Sequence, residues 1–131
     1  MLLDQKTIEL AQGPNFAVLT TLRPDGHPVS QPMWVDTDGE HLLINTEQHR
    51  RKFRNIENDP RVTVTIWERD NPYYYTEVRG RVTDVIRGDR ARAHIDELSE
   101  LYDGQPYDGD SIKSERVIMV ITPLETSKKS S

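Results

Sequence analysis

Cysteine is absent from this chain. That excludes disulfides, thiolate zinc sites, iron–sulfur ligation and cysteine nucleophiles together. It also fits a reducing compartment, so a cytoplasmic location is expected. No apolar run approaches the ~20 residues that cross a bilayer. The start, Met1-Leu2-Leu3-Asp4-Gln5-Lys6, places an acid where a signal peptide would carry its apolar core. Hydrophobic residues are few, 34% against 30% charged, so the core must be small and economically patterned, and a second copy is expected to contribute to stability. There is no excess of base either: 17 basic residues against 22 acidic give a net charge of −5, which argues against a general nucleic-acid coat. The glycines form neither a GxGxxG nor a Walker pattern. His27, His41, His49 and His94 lack zinc-ligand spacing, and Ser30 and Ser99 lack the base and acid of a hydrolase triad. Asp36 with Asp38 and Asp108 with Asp110 fall in turns, where Asp serves the backbone, so no metal site is assigned.

What remains fits one domain of ordinary size in 131 residues, expected over 1–125 with a disordered tail at 126–131. The pattern predicts a short helix at 3–12, ended by Gly13-Pro14, and a strand at 16–22. The turn Arg23-Pro24-Asp25-Gly26-His27 leads into a returning strand at 28–36, and a third strand follows at 40–46. The period then changes to a helix at 48–58, with Phe53 and Ile56 inward and Asp59-Pro60 as its stop. Strands are predicted at 62–68 and at 73–85, the second bent at Gly80 where a bulge is cheap. A helix at 88–103 carries Ala91, His94, Ile95, Leu98, Leu101 and Tyr102 on one face, with Gly104 as its cap and His94 as a packed or hydrogen-bonded residue. A polar loop at 105–114 and a last strand at 116–122, ended by Pro123, complete the chain. Six strands with about three helices do not fit alternating βαβ units. They fit a mainly β, closed antiparallel barrel with helices over its openings, which also removes exposed strand edges.

The most informative stretch is His49-Arg50-Arg51-Lys52-Phe53-Arg54-Asn55. Four cations stand at the start of a predicted helix, where the dipole favours acids. Free N–H groups at that end suit an anion. A solvated basic face, a phosphate site and a nucleic-acid contact all remain open on this ground alone. Aromatics are the second feature. Tyr73 and Tyr75 share one face of a strand, and Trp34 and Trp67 end two others. Such rings can stack on a planar cofactor or fill a core or subunit interface.

Taken in order, these segments resemble a known family. Leu22-Arg23-Pro24-Asp25-Gly26-His27-Pro28, Pro32-Met33-Trp34-Val35-Asp36, Arg50-Arg51-Lys52-Phe53-Arg54-Asn55-Ile56, Asn58-Asp59-Pro60-Arg61-Val62 and Val78-Arg79-Gly80-Arg81-Val82 carry the likeness, over about residues 5–125. The pattern resembles the split-barrel flavin and deazaflavin oxidoreductases related to pyridoxamine 5′-phosphate oxidase, in particular their branch that uses coenzyme F420. The resemblance implies a six-stranded split barrel and a homodimer with two cofactor sites at the subunit interface. It implies that Arg50 and Lys52, with Arg51 close by, grip the cofactor phosphate. Gln31, Pro32, Met33, Asn45 and Thr46 would lie beside the ring system, and Tyr73 and Tyr75 would close the site of the other subunit. The implied activity is hydride transfer between F420 and a small electron-poor organic substrate, with no catalytic side chain assigned. The alternatives are an FMN-dependent oxidase-like flavoprotein and a noncatalytic flavin or F420 binder. Neither a membrane nor a nucleic-acid partner is expected.

Overall fold

The computed structural model describes residues 2–126. In chain order its elements are α1 (Gln5–Ala11), β1 (Phe16–Leu22), β2 (Pro28–Trp34), β3 (Asp36–Thr37), β4 (Leu42–Glu47), α2 (Arg51–Asn58), β5 (Arg61–Glu68), β6 (Asn71–Ile86), α3 (Asp89–Asp103) and β7 (Arg116–Thr126). Alternation in sequence becomes alternation in burial: β1 buries Ala17, Leu19 and Thr21, and β5 buries Val62, Val64 and Ile66. The apolar side chains among these meet Leu42, Ile44, Met119 and Ile121 from β4 and β7 in one core.

Among the described residues the strands number seven, not six. The predicted strand at 28–36 breaks at Val35, and its last residues become β3. The order across the sheet is β2-β1-β5-β6-β7-β4-β3, and every strand pairing among the described residues is antiparallel. β2 and β3 are thus opposite edges of one sheet, although only Val35 separates them in the chain. The sheet must curl until its edges stand side by side. They do not pair with each other, so the result is a split, half-closed barrel. Val35 is fully buried at this seam.

β7 runs past Pro123 instead of ending there. Pro123 lies opposite Gly80, where the β6–β7 register shifts, so its missing N–H costs no regular ladder bond. Gly80 is required for close approach. A Cβ there would lie 2.7 Å from the Thr122 carbonyl oxygen and 2.8 Å from Ile121 Cγ2. Gly80→Ala is therefore expected to destabilise the fold by about 1–3 kcal/mol through overpacking. A lowered urea midpoint with an unchanged slope would show it. The expected tail overlaps β7 at Thr126, which pairs with Val78. Its remaining residues, 127–131, lie outside the described residues.

The helices cover the sheet. α1 is capped by Asp4, whose carboxylate accepts the Thr7 N–H at 2.8 Å. α2 starts at Arg51, three residues later than predicted, because 48–50 form a turn in which the Arg50 N–H donates to the Glu47 carbonyl at 3.0 Å. Phe53 and Ile56 are buried as spaced, together with Asn55, whose Nδ2 donates to Thr21 Oγ1 at 3.0 Å. α3 buries Ala91, His94, Ile95 and Leu98, while Leu101 is left 46% exposed. It ends in the left-handed Gly104 cap. Among the described residues, no helix is long and apolar enough to cross a membrane.

Candidate functional site

Beside the seam the surface opens into a cleft of about 610 Å³. Its lining draws on several elements: Phe16 from β1, Gln31 to Trp34 from β2, Asn45 and Thr46 from β4, Ile95 and Leu98 from α3, and Tyr107 from the 105–114 loop. Arg50, Lys52 and Arg116 supply its cations. Curling of the sheet is what brings β2 to face β4 here, since the two are nearly opposite ends of the strand order.

One wall is aromatic. Trp34 stacks on Tyr102 with ring centroids 5.1 Å apart, and Tyr107 meets it edge-on at 6.4 Å. Tyr102 is itself fixed, because its hydroxyl donates to the Asn15 carbonyl and accepts the Val35 N–H at 3.3 Å. Burial, first, and the nearby Asp36 carboxylate raise the Tyr102 pKa, so the phenol stays protonated as this donor.

The other end is cationic. Arg50 is the N-cap of α2 and offers no side-chain hydrogen bond to it, and the first turn contains no acid. The free N–H groups of that turn thus face a region of positive charge. Burial, then the charges of Arg50 and Arg116, lower the pKa of Lys52. Like charges beside Lys52 make this end of the cleft favourable to an anion. Arg116 is almost buried, with its guanidinium 5.2 Å from the Tyr107 ring centroid and its Nε donating to Asn45 Oδ1 at 2.8 Å. Its charge is balanced at 3.5 Å by Glu47, which is 2% exposed. Burial disfavours the Glu47 anion, but the amides of Ser114 and Lys113, and then Arg116, outweigh it and hold its pKa below the ordinary range. Glu47 thereby ties the end of the 105–114 loop to the start of α2.

Of the residues expected at a site, Gln31, Pro32, Met33, Asn45, Thr46, Arg50 and Lys52 converge on this cleft. Arg51, Tyr73 and Tyr75 do not line it. Arg51 is exposed on α2, Tyr73 is 86% exposed, and Tyr75 lies opposite Trp67 in the β5–β6 ladder. Arg116 and Tyr107 were not foreseen. A charged residue heading an apolar strand reads as a flank, and only the pairing of Arg116 with Glu47 across β4 and β7 turns it inward. His94 is packed as predicted, fully buried and hydrogen-bonded at both ring nitrogens. Asp36 and Asp38 accept backbone and histidine hydrogen bonds, and no cluster suited to a metal occurs among the described residues. His49 Nδ1 bonds Ser114 Oγ, and that same nitrogen faces Glu47 at 3.8 Å, so the three form no relay through both ring nitrogens.

Comparison with known proteins agrees with this architecture. A solved structure named F420 reductase is 39% identical, with a TM-score of 0.82 over 92% of this chain and 95% of that one. The General Stress Protein 26 of Bacillus anthracis str. Sterne is 24% identical, with a TM-score of 0.69 over 93% of this chain and 89% of that one. A pyridoxamine 5′-phosphate oxidase-related, FMN binding protein of Nostoc punctiforme is 15% identical, with a TM-score of 0.63 over 85% and 71% of the two chains. The pyridoxamine 5′-phosphate oxidase family profile matches residues 3–130, and on that extent the chain belongs to this family.

Proposed function

We propose that the chain is an oxidoreductase that binds coenzyme F420 in the cleft and works as a homodimer on a small, electron-poor organic substrate. The observation that carries this reading is the cationic end of the cleft: Arg50, Lys52 and Arg116 beside the uncapped start of α2. The residues present fit a phosphate-bearing, ring-containing group. Cations stand at one end, while Met33, Trp34, Ile95 and Leu98 offer apolar surface along the walls and Gln31, Asn45 and Thr46 offer polar atoms between. The F420 reductase neighbour supports the deazaflavin over a flavin.

When bound, the coenzyme supplies the hydride donor or acceptor at its ring. The chain's own contribution is binding, orientation and exclusion of water. Arg50, Lys52 and Arg116 would anchor the phosphate, and the first-turn amides of α2 would add donors. Thr46 would hold the ring edge, with Asn45, whose amide is engaged by Ala91, His94 and Arg116, lying beside it, and the Trp34 wall would limit its tilt. No side chain in the cleft is assigned as an acid or base. Tyr73 and Tyr75 lie outside this chain's cleft, so their part in the reading is to close the partner subunit's site.

Titration of the purified protein with F420 and with FMN tests the proposal. Saturable binding of F420 by a dimer is expected, and a monomer that binds neither coenzyme would overturn it. A second reading, an FMN flavoprotein, draws on the FMN binding neighbour. Yellow protein with a flavin absorption band would favour it. Ligand binding without turnover of any electron acceptor would favour a noncatalytic binder.

A further inference from the structure

Behind the cationic end of the cleft runs an unbroken line of side-chain hydrogen bonds. Asp36 in β3 accepts the Thr37 N–H at 2.8 Å through Oδ1 and faces His94 Nε2 at 2.9 Å through Oδ2. His94 Nδ1 lies 3.0 Å from Asn45 Nδ2, which also donates to the Ala91 carbonyl at 2.9 Å. Asn45 Oδ1 accepts from Arg116 Nε at 2.8 Å. The roles along this line are fixed by chemistry. The Ala91 carbonyl can only accept and Arg116 Nε can only donate, so the Asn45 amide has one orientation. Its NH₂ then faces His94 Nδ1, which must be the acceptor, and the imidazole proton sits on Nε2 and points at Asp36.

We propose that His94 is a positioning residue for the anion end of the cleft. Fully buried and outside the cleft lining, it acts through Asn45 to aim the guanidinium of Arg116. Without an acceptor at the Nδ1 position, the Asn45 NH₂ loses one of two partners, and rotation of the amide would withdraw the oxygen that holds Arg116. The bearing on coenzyme affinity rests on the function proposed above; the bearing on Arg116 does not.

Two conservative substitutions separate the ring nitrogens. His94→Asn places an amide oxygen near the Nδ1 position and keeps the acceptor for Asn45. His94→Gln reaches toward the Nε2 position and keeps the donor for Asp36 while losing the other. In ligand-free protein, the Arg116 Nε–H resonance should be protected from solvent exchange in wild type and in His94→Asn, and lose that protection in His94→Gln. The dissociation constant for F420 should rise roughly 3- to 10-fold in His94→Gln alone, one neutral hydrogen bond's worth. In an Arg116→Gln background the same substitution should add nothing further. Equal Nε–H protection in all three proteins, or additive losses in the double variant, would overturn the proposal. Long-range proton–nitrogen spectra of wild type give a check that needs no variant to fold, since a protonated His94 Nδ1 would also overturn it. If Arg116 protection follows His94 as expected while no protein binds F420, the positioning role stands and the coenzyme reading falls.

Discussion

Lys52→Ala and Arg116→Gln will each weaken coenzyme binding by about 1.5–3 kcal/mol, or roughly 10- to 150-fold in Kd, the worth of one charge-assisted contact to phosphate. Calorimetric titration with F420 reads the effect. The two positions differ in what else they touch. Lys52 is half-buried and its near neighbours are cations, which lower its pKa after burial itself. Removing it relieves repulsion in the free protein, so Lys52→Ala should lose affinity with little loss of thermal stability. Arg116 is tied to Glu47 and Asn45, so Arg116→Gln should lose both. Unchanged affinity in both variants would mean that the phosphate is held elsewhere. Binding of the anion should also draw a proton onto the protein at alkaline pH. The bound charge raises the lowered Lys52 pKa, and proton uptake measured in buffers of different ionisation enthalpy would report it.

Glu47→Ala should produce the largest loss of stability outside the apolar core, about 3–5 kcal/mol, because it leaves the Arg116 charge buried and unbalanced. It also strips the acceptor from the amides of Ser114 and Lys113. Against a total of about 5–15 kcal/mol for a domain, that approaches unfolding. Glu47→Gln keeps an oxygen for the amides and removes only the charge, so it should be the milder change. The two also differ in pH dependence. The folded-state pKa of Glu47 lies below its ordinary value of 4.5. Its contribution is therefore fully present above about 4.5 and is lost as pH falls through the lower folded value. Urea unfolding should show a steeper acid decline in wild type than in Glu47→Gln below that point. Parallel curves would show that the carboxylate gains nothing from its surroundings.

Much of the fold could be read from residue order. Alternation locates β1 and β5, the three-and-four spacing locates α3, and Gly80 marks the bulge. The barrel's split was legible through the family resemblance, but its place was not. A single residue, Val35, carries the chain from one sheet edge to the other, and no periodicity signals so short a step. Pro123 misled because proline ends strands in general, whereas here it sits opposite a bulge. At the site, the basic run pointed to Arg50 and Lys52 because the anomaly was local. It also includes Arg51, which does not line the cleft and whose place on the exposed side of α2 depends on where that helix starts. Arg116 and Tyr107 come from segments with no such anomaly. Their part is set by pairing across β4 and β7 and by the anchoring of a loop on Glu47, which are long-range facts.

The one-residue step at Val35 also decides where this protein can be altered in length. An insertion there would exchange the two faces of β3, turning Asp36 away from His94. The turns at 23–27 and 37–41 have exposed glycines, and an added Cβ at Gly26 or Gly39 meets nothing within 4 Å. Reporter groups, affinity tags or new termini belong at those two tips, where nothing packs against the chain, and not at the joint between the two sheet edges.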